Sequence, residues 1–254
     1  MKIGVMDNVL MKSWEDLFEE AAQLGFDGVE LDLRVDSYRD SEVWSATGRR
    51  QLLSRSRRTG VEIASVCMAS VAGLMTKPDT HEAGIEAVAL LRRFCDEVGA
   101  GVILFPMSKH AEQSEEDAVR LWRDGLRAAF DRTRNCRAKV GMESVGRTGR
   151  SAQQALAMIE LVGSPDLGVY YDVGNAAYQS FDGIAEMKQL GKHIVQIHVK
   201  EIGAEMGAGK LDFPAIFRTI KEIGFDGYLV LETEPGDDAG ASAARNLAFV
   251  RGLL

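Results

Sequence analysis

The chain has 254 residues, 46% of them hydrophobic and 27% charged, a balance that can bury a sizeable core and argues against disorder. Its formal net charge of −8 excludes nucleic acid as an expected partner, because polyanion binding needs clustered Lys and Arg to displace counterions. The one basic run, Arg49 to Arg58, reads as a solvated helix face. Cys67, Cys95 and Cys136 are odd in number and widely spaced, with no CxxC pair. That spacing points away from a zinc or redox centre and towards a reducing compartment. No apolar run approaches the roughly 20 residues that span a bilayer. The opening MKIGVMDNVL also lacks the features of a signal peptide, so a cytoplasmic protein with no membrane partner is expected.

In chain order, short β-branched runs alternate with amphipathic stretches. Strands are predicted at Lys2–Met6, Gly28–Leu31, Val61–Val66, Val102–Phe105, Val140–Glu143, Gly168–Asp172, Ile194–His198 and Tyr228–Glu232. Trp14–Leu24 and Phe213–Ile223 place apolar residues at helical spacing. Ser13, followed by Asp16, reads as a helix N-cap with an acidic first turn. Several strands share one lead-in, a helix closing on Gly before the strand, as in LGFDGVEL, RTGVEIASV, VGAGVILF and IGFDGYLV. Glycine tolerates the left-handed conformation at a helix C-terminus. An open doubly wound sheet alternates in the same way, but no GxGxxG or GxxxxGK[ST] follows a strand. Eight units in about 250 residues fit an α/β fold of the (β/α)8 TIM-barrel type. No linker divides the chain, so one domain over residues 1–254 is expected.

In such barrels chemistry collects at the C-terminal strand ends. Four successive strands here end on a polar residue: VGME at Glu143, VYYD at Asp172, VQIH at His198 and LVLE at Glu232. Each lies about one βα unit after the last, so all four should face one mouth. Three converging carboxylates repel unless a cation lies among them. One imidazole with three carboxylates suits a single divalent ion, with Mn2+ expected and Mg2+, Zn2+ or Co2+ as alternatives. The other histidines have weaker cases, since His81 and His110 fall in helix or loop and His193 precedes a strand. A cation beside two carboxylates suits proton transfer next to a carbonyl through an enediolate. Glu143 and Glu232 are the candidate acid/base pair. Glu30, ending the second strand, either binds a substrate hydroxyl or pairs with a basic neighbour. Lys109 and Lys210 read as phosphate partners or plain surface lysines. Trp14, Trp44 and Trp122 lie in helical stretches as packing residues, although Trp14 is close enough to the first strand to line a pocket.

These segments resemble the xylose-isomerase-like barrel superfamily of sugar and sugar-phosphate isomerases and epimerases. Within it the chain most resembles the L-ribulose- and L-xylulose-5-phosphate 3-epimerases. YYDVGNAAY followed by HIVQIHVKE is similar to that family's DxGN and HVK pattern, and MGAGKLDF to its Gly-x-Gly stretch. The resemblance implies Glu143, Asp172, His198 and Glu232 as metal ligands, with the two glutamates carrying the proton. It places Asn175 and Lys200 beside a small-molecule sugar or sugar phosphate. Arg147 resembles the E-x-x-x-R pattern of the free-ketose 3-epimerase branch and is a further substrate candidate. The chain departs from that branch at Gly149, Ala204 and Asn175, which leaves the phosphorylated pentulose ahead. It also reads Met68-Ala-Ser-Val where resembling epimerases carry a histidine. The implied activity is a divalent-metal-dependent epimerase or isomerase of a ketose or ketose phosphate. A dehydratase of the inosose or dehydroshikimate type and a non-catalytic sugar-binding barrel are the alternatives. Barrels of this kind commonly form homo-oligomers.

Overall fold

The apolar runs become parallel strands because each is covered on both faces, by the barrel interior on one side and by helices on the other. The computed structural model describes residues 1–33, 42–107, 109, 112–143 and 151–254. Its strands are β1 Lys2–Met6, β2 Gly28–Asp32, β3 Glu62–Cys67, β4 Val102–Pro106, β5 Lys139–Glu143, β6 Leu167–Asp172, β7 Ile194–Val199 and β8 Tyr228–Leu231. They pair in sequence order, and β1 closes the ring on β8 through the register Lys2↔Tyr228 to Val5↔Leu231. The predicted (β/α)8 barrel is therefore the observed architecture. Predicted strand boundaries hold to within a residue, and Glu232 lies just past the end of β8.

Among the described residues the helices are α1 Asp7–Leu10, α2 Trp14–Leu24, α3 Ala46–Thr59, α4 Ala69–Ala72, α5 His81–Val98, α6 Glu115–Arg132, α7 Ala152–Val162, α8 Val173–Tyr178, α9 Gly183–Leu190, α10 Phe213–Glu222 and α11 Ala239–Arg251. Their apolar stripes meet the outer strand faces. Leu17 and Phe18 of α2, Trp122 and Leu126 of α6 and Phe213 and Phe217 of α10 are buried in the same core as Val29, Phe105, Ile197 and Leu229. Gly25 ends α2 at φ 92° with its N–H on the Ala21 and Ala22 carbonyls, and the other three quoted lead-ins also carry a glycine at positive φ.

Two local expectations are corrected. Ser13 occupies the N-cap position of α2 but its hydroxyl caps no backbone N–H. It lies 3.4 Å from Asp16 Oδ2 instead, so the acidic first turn favours this end through the helix dipole alone. Trp44 sits in a 3-10 turn, Glu42–Trp44, and not in an α-helix. Trp14 donates its indole N–H to the buried Asp7 Oδ2 at 2.6 Å. The basic α3 does face outward, with Arg49 on Glu97 and Arg58 on Glu19. No described helix is long and apolar enough to cross a membrane.

Candidate metal and active site

Strand register sets the site. Asp172 is the Cα partner of His198 across β6 and β7, Glu143 pairs with Pro106 at the end of β5, and Glu232 is held by its N–H on the Val199 carbonyl at 3.3 Å. One ligand atom from each of Glu143, Asp172, His198 and Glu232 lies within 4.8 Å of all the others. His198 Nδ1 faces the three carboxylates, 3.1 Å from Glu232 Oε2, 3.2 Å from Glu143 Oε1 and 3.7 Å from Asp172 Oδ2.

The DVGN segment explains how a tight local sequence shapes this mouth. β6 turns directly into α8, and Asp172 caps that helix by accepting the Asn175 backbone N–H on Oδ1 at 2.7 Å. The capping bond leaves Oδ2 turned inward. Asn175, in the first turn, donates from Nδ2 to Glu143 Oε1 at 3.4 Å. Between them Gly174 leaves space for the Lys200 stem, since a Cβ there would stand 2.6 Å from Lys200 Cγ. The ammonium of Lys200 lies 2.8 Å from both Asp172 and Glu232.

The charges are strongly coupled. Burial pushes the Glu143 carboxyl up, the Asp172 and Glu232 carboxylates add to that, and the contact with His198 opposes it. Burial also acts on Glu232, but His198 and Lys200 outweigh it and hold that carboxyl below its usual range. Burial disfavours a charged His198, yet Tyr170 and the Glu30 and Glu232 carboxylates prevail and raise it. A divalent cation fits this set. Ligand atoms about 2.1 Å from an ion sit about 3–4 Å from one another, as the distances around Nδ1 do. Asp172 Oδ2 is buried and faces the cluster, 2.8 Å from Lys200 Nζ and 3.7 Å from His198 Nδ1.

Glu30 is placed beneath this ring and not on its open side. It is 0% exposed, and Oε1 meets His198 Nε2 at 2.9 Å. Of the two readings the sequence offered, the pairing with a basic neighbour is the contact observed. Oε2 accepts from the Ser65 hydroxyl at 2.5 Å and the Tyr170 hydroxyl at 2.6 Å. Gln196 Nε2 in turn donates to Ser65 Oγ at 2.5 Å and Tyr170 Oη at 3.0 Å. Ser65, Tyr170 and Gln196 escaped the sequence reading. Tyr170 and Gln196 stand two residues before Asp172 and His198, and the strand period of two was the available signal.

Beside Glu232 and Lys200 opens a cavity of about 470 Å3, lined in part also by Asn8, Asn175, Tyr178 and Thr233. Asn8 and Met11 form its β1 side, where the sequence had offered Trp14. Lys109 instead donates to the Gln113 carbonyl at 2.9 Å, and Lys210 borders a separate cleft with Asp212 and Ile216. Arg147, like Gly149 and His110, lies outside the described residues.

Residues 18–253 match the family model described as the xylose isomerase-like TIM barrel. The chain belongs to that family. It is 26% identical over 268 residues to the L-ribulose-5-phosphate 3-epimerase UlaE of Escherichia coli, covering 99% of this chain and 94% of that one. The D-allulose 3-epimerase of Methylomonas sp., solved with D-allulose, superposes with a TM-score of 0.85 at 14% identity, over 100% of this chain and 97% of its own. The 3-keto-D-glucoside 4-epimerase YcjR of Escherichia coli superposes with a TM-score of 0.83 at 18% identity, over 99% of each chain. At those identities the structural matches speak for the fold.

Proposed function

We propose that this member of the xylose isomerase-like barrel family is a divalent-metal-dependent epimerase or isomerase of a ketose or ketose phosphate, transferring a proton through an enediolate. The observation that carries the reading is the convergence of Glu143 and Glu232 on His198 Nδ1, with Glu232 also lining an open cavity. A divalent ion held by Glu143, Asp172, His198 and Glu232, with Mn2+ the first choice, supplies a Lewis acid that acidifies the carbon-bound hydrogen beside a carbonyl. Glu143 and Glu232 are the proton carriers. One takes the proton from one face of the carbon, the other returns a proton to the opposite face, and the roles exchange in reverse. Asn175 steadies Glu143 through its amide, and Lys200 holds Glu232.

A ketose phosphate is the substrate class to test first, because UlaE, matched along almost the whole chain, is named for L-ribulose 5-phosphate. Lys200 lines the cavity and can meet a substrate oxygen as a point charge. Asn175 lines it too, and Arg147, four residues after Glu143, is the third proposed substrate contact. Buried, unpaired Cys67 and Cys95 support a reducing, cytoplasmic setting.

The test is proton NMR in deuterated water with a panel of pentuloses, hexuloses and their phosphates, using metal-loaded and EDTA-treated protein. Metal-dependent deuterium entry at C3 with a new diastereomer is the expected result, and exchange at C1 or C2 would indicate isomerisation. Elimination of water would move the assignment to a dehydratase. No exchange with any member, despite bound metal, would overturn the ketose reading.

A further inference from the structure

We infer that Glu30 is a positioning residue for His198, fixing the imidazole with its Nε2–H pointing down into the barrel, so that Nδ1 faces the carboxylate ring and presents its lone pair there once an entering ion has displaced its proton. The inference rests on the metal reading above and adds to it a residue that touches neither ion nor substrate.

The argument is one of counting donors. A carboxylate with no solvent exposure persists only when its oxygens are matched by donors. Gln196 Nε2 is a donor only, and it sits within reach of both Ser65 Oγ and Tyr170 Oη. Each hydroxyl therefore receives from Gln196 and directs its own proton elsewhere. Glu30 Oε2 is the acceptor beside both, at 2.5 and 2.6 Å. With Oε2 doubly occupied as an acceptor, Oε1 faces His198 Nε2 at 2.9 Å, and the imidazole N–H completes the set. The opposite ring nitrogen then faces the site, and its lone pair is open to an ion once its own proton has left. The Tyr170 ring adds a steric wall, its centroid 4.4 Å from that of His198. Glu30 and Ser65 are register partners on β2 and β3, and Tyr170 and Gln196 are register partners on β6 and β7. The frame thus has supports on opposite sides of the barrel.

An imidazole oriented through its outer nitrogen is a better-organised ligand than a free one, and loss of such a partner costs about 10–100-fold in metal affinity. Glu30→Gln keeps the shape but removes one acceptor. Whichever way the amide turns, an N–H2 group faces either the imidazole or the two hydroxyls.

The experiment compares Mn2+ affinity, by electron paramagnetic resonance of free Mn2+, in the unsubstituted protein, Glu30→Gln and Tyr170→Phe. Thermal melts of the metal-free proteins accompany it. The expected result is a loss of about 10–100-fold for Glu30→Gln and a smaller loss in the same direction for Tyr170→Phe. A second readout uses 15N-histidine labelling of the Mg2+-loaded protein. A slowly exchanging, downfield His198 Nε2–H proton is expected, and its weakening in Tyr170→Phe keeps the test decisive if Glu30→Gln does not fold. Unchanged Mn2+ affinity in a folded Glu30→Gln protein, or a fast-exchanging Nε2–H in the unsubstituted one, would overturn the inference. Failure of the unsubstituted protein to bind Mn2+ would overturn the metal reading instead.

Discussion

Glu143 and Glu232 reach the same atom, His198 Nδ1, at 3.2 and 3.1 Å, although one closes β5 and the other follows β8. Their neighbours differ in kind. Glu143 is buried beside the Asn175 amide, whereas Glu232 is about a quarter exposed and shares the Lys200 ammonium with Asp172. Two carboxylates around one point, in unlike surroundings, suit a proton exchanged between two faces of a carbon.

Replacing either with glutamine removes a proton carrier while keeping its shape. Glu143→Gln and Glu232→Gln are each expected to slow deuterium exchange at the substrate carbon by about 10²–10⁴-fold, with sugar still bound in a titration that follows the sugar. Exchange at the unsubstituted rate in either variant would remove that residue from the reaction.

Metal affinity is expected to climb with pH. His198 and Glu143 are both pushed up, so near neutrality they hold protons that an entering cation must displace. Binding therefore releases protons, and acid competes with the ion. Calorimetry of Mn2+ binding in two buffers of unlike ionisation enthalpy should show proton release that shrinks as pH rises. A heat that does not depend on the buffer would contradict it.

Gly174→Ala is expected to destabilise the protein by about 1–3 kcal/mol through overpacking, because its Cβ would meet the Lys200 stem at 2.6 Å and the Asp172 carboxylate at 3.3 Å. Most of that loss should vanish in the Lys200→Ala background. The double-mutant cycle is read from thermal melts, and additive effects would mean that the two residues do not compete for space.

Arg92 is 0% exposed and ties α5 to the start of β5, donating to the carbonyls of Ala138 and Cys136, the Thr133 hydroxyl and Asp166. Arg92→Ala leaves those acceptors without donors and the Asp166 carboxylate without its partner. A loss of about 3–5 kcal/mol is expected in denaturant unfolding, while Mn2+ affinity of the folded fraction stays unchanged.

The sequence shows the barrel and the ring of ligands through the same pattern. An apolar strand that ends on a charged residue displays both its burial and its exposed end, and Glu143, Asp172 and His198 all do so. The frame beneath them was hidden for a physical reason. Tyr170 and Gln196 sit within apolar strands, where a polar side chain has meaning only once its partners across the barrel are known, and Glu30 and Ser65 come from strands far away in sequence. Glu30 itself was visible, but its direction was not, because a strand-end carboxylate can turn into the cavity or down into the core. Ser13 shows the opposite limit, since residue type marks a cap position without fixing what the hydroxyl bonds.

The contact between Glu30 and His198 also bears on how the chain is made. Glu30 leaves the ribosome 168 residues ahead of the imidazole that meets it. Throughout that interval the nascent first half carries a carboxylate whose final place has no contact with water, and such a group stays hydrated until its donors arrive. Tyr170 and Gln196 also arrive late. A half-barrel that has not yet met β6 and β7 would hold this carboxylate with Ser65 as its one donor among the described contacts, which favours drying of that interior after those strands dock.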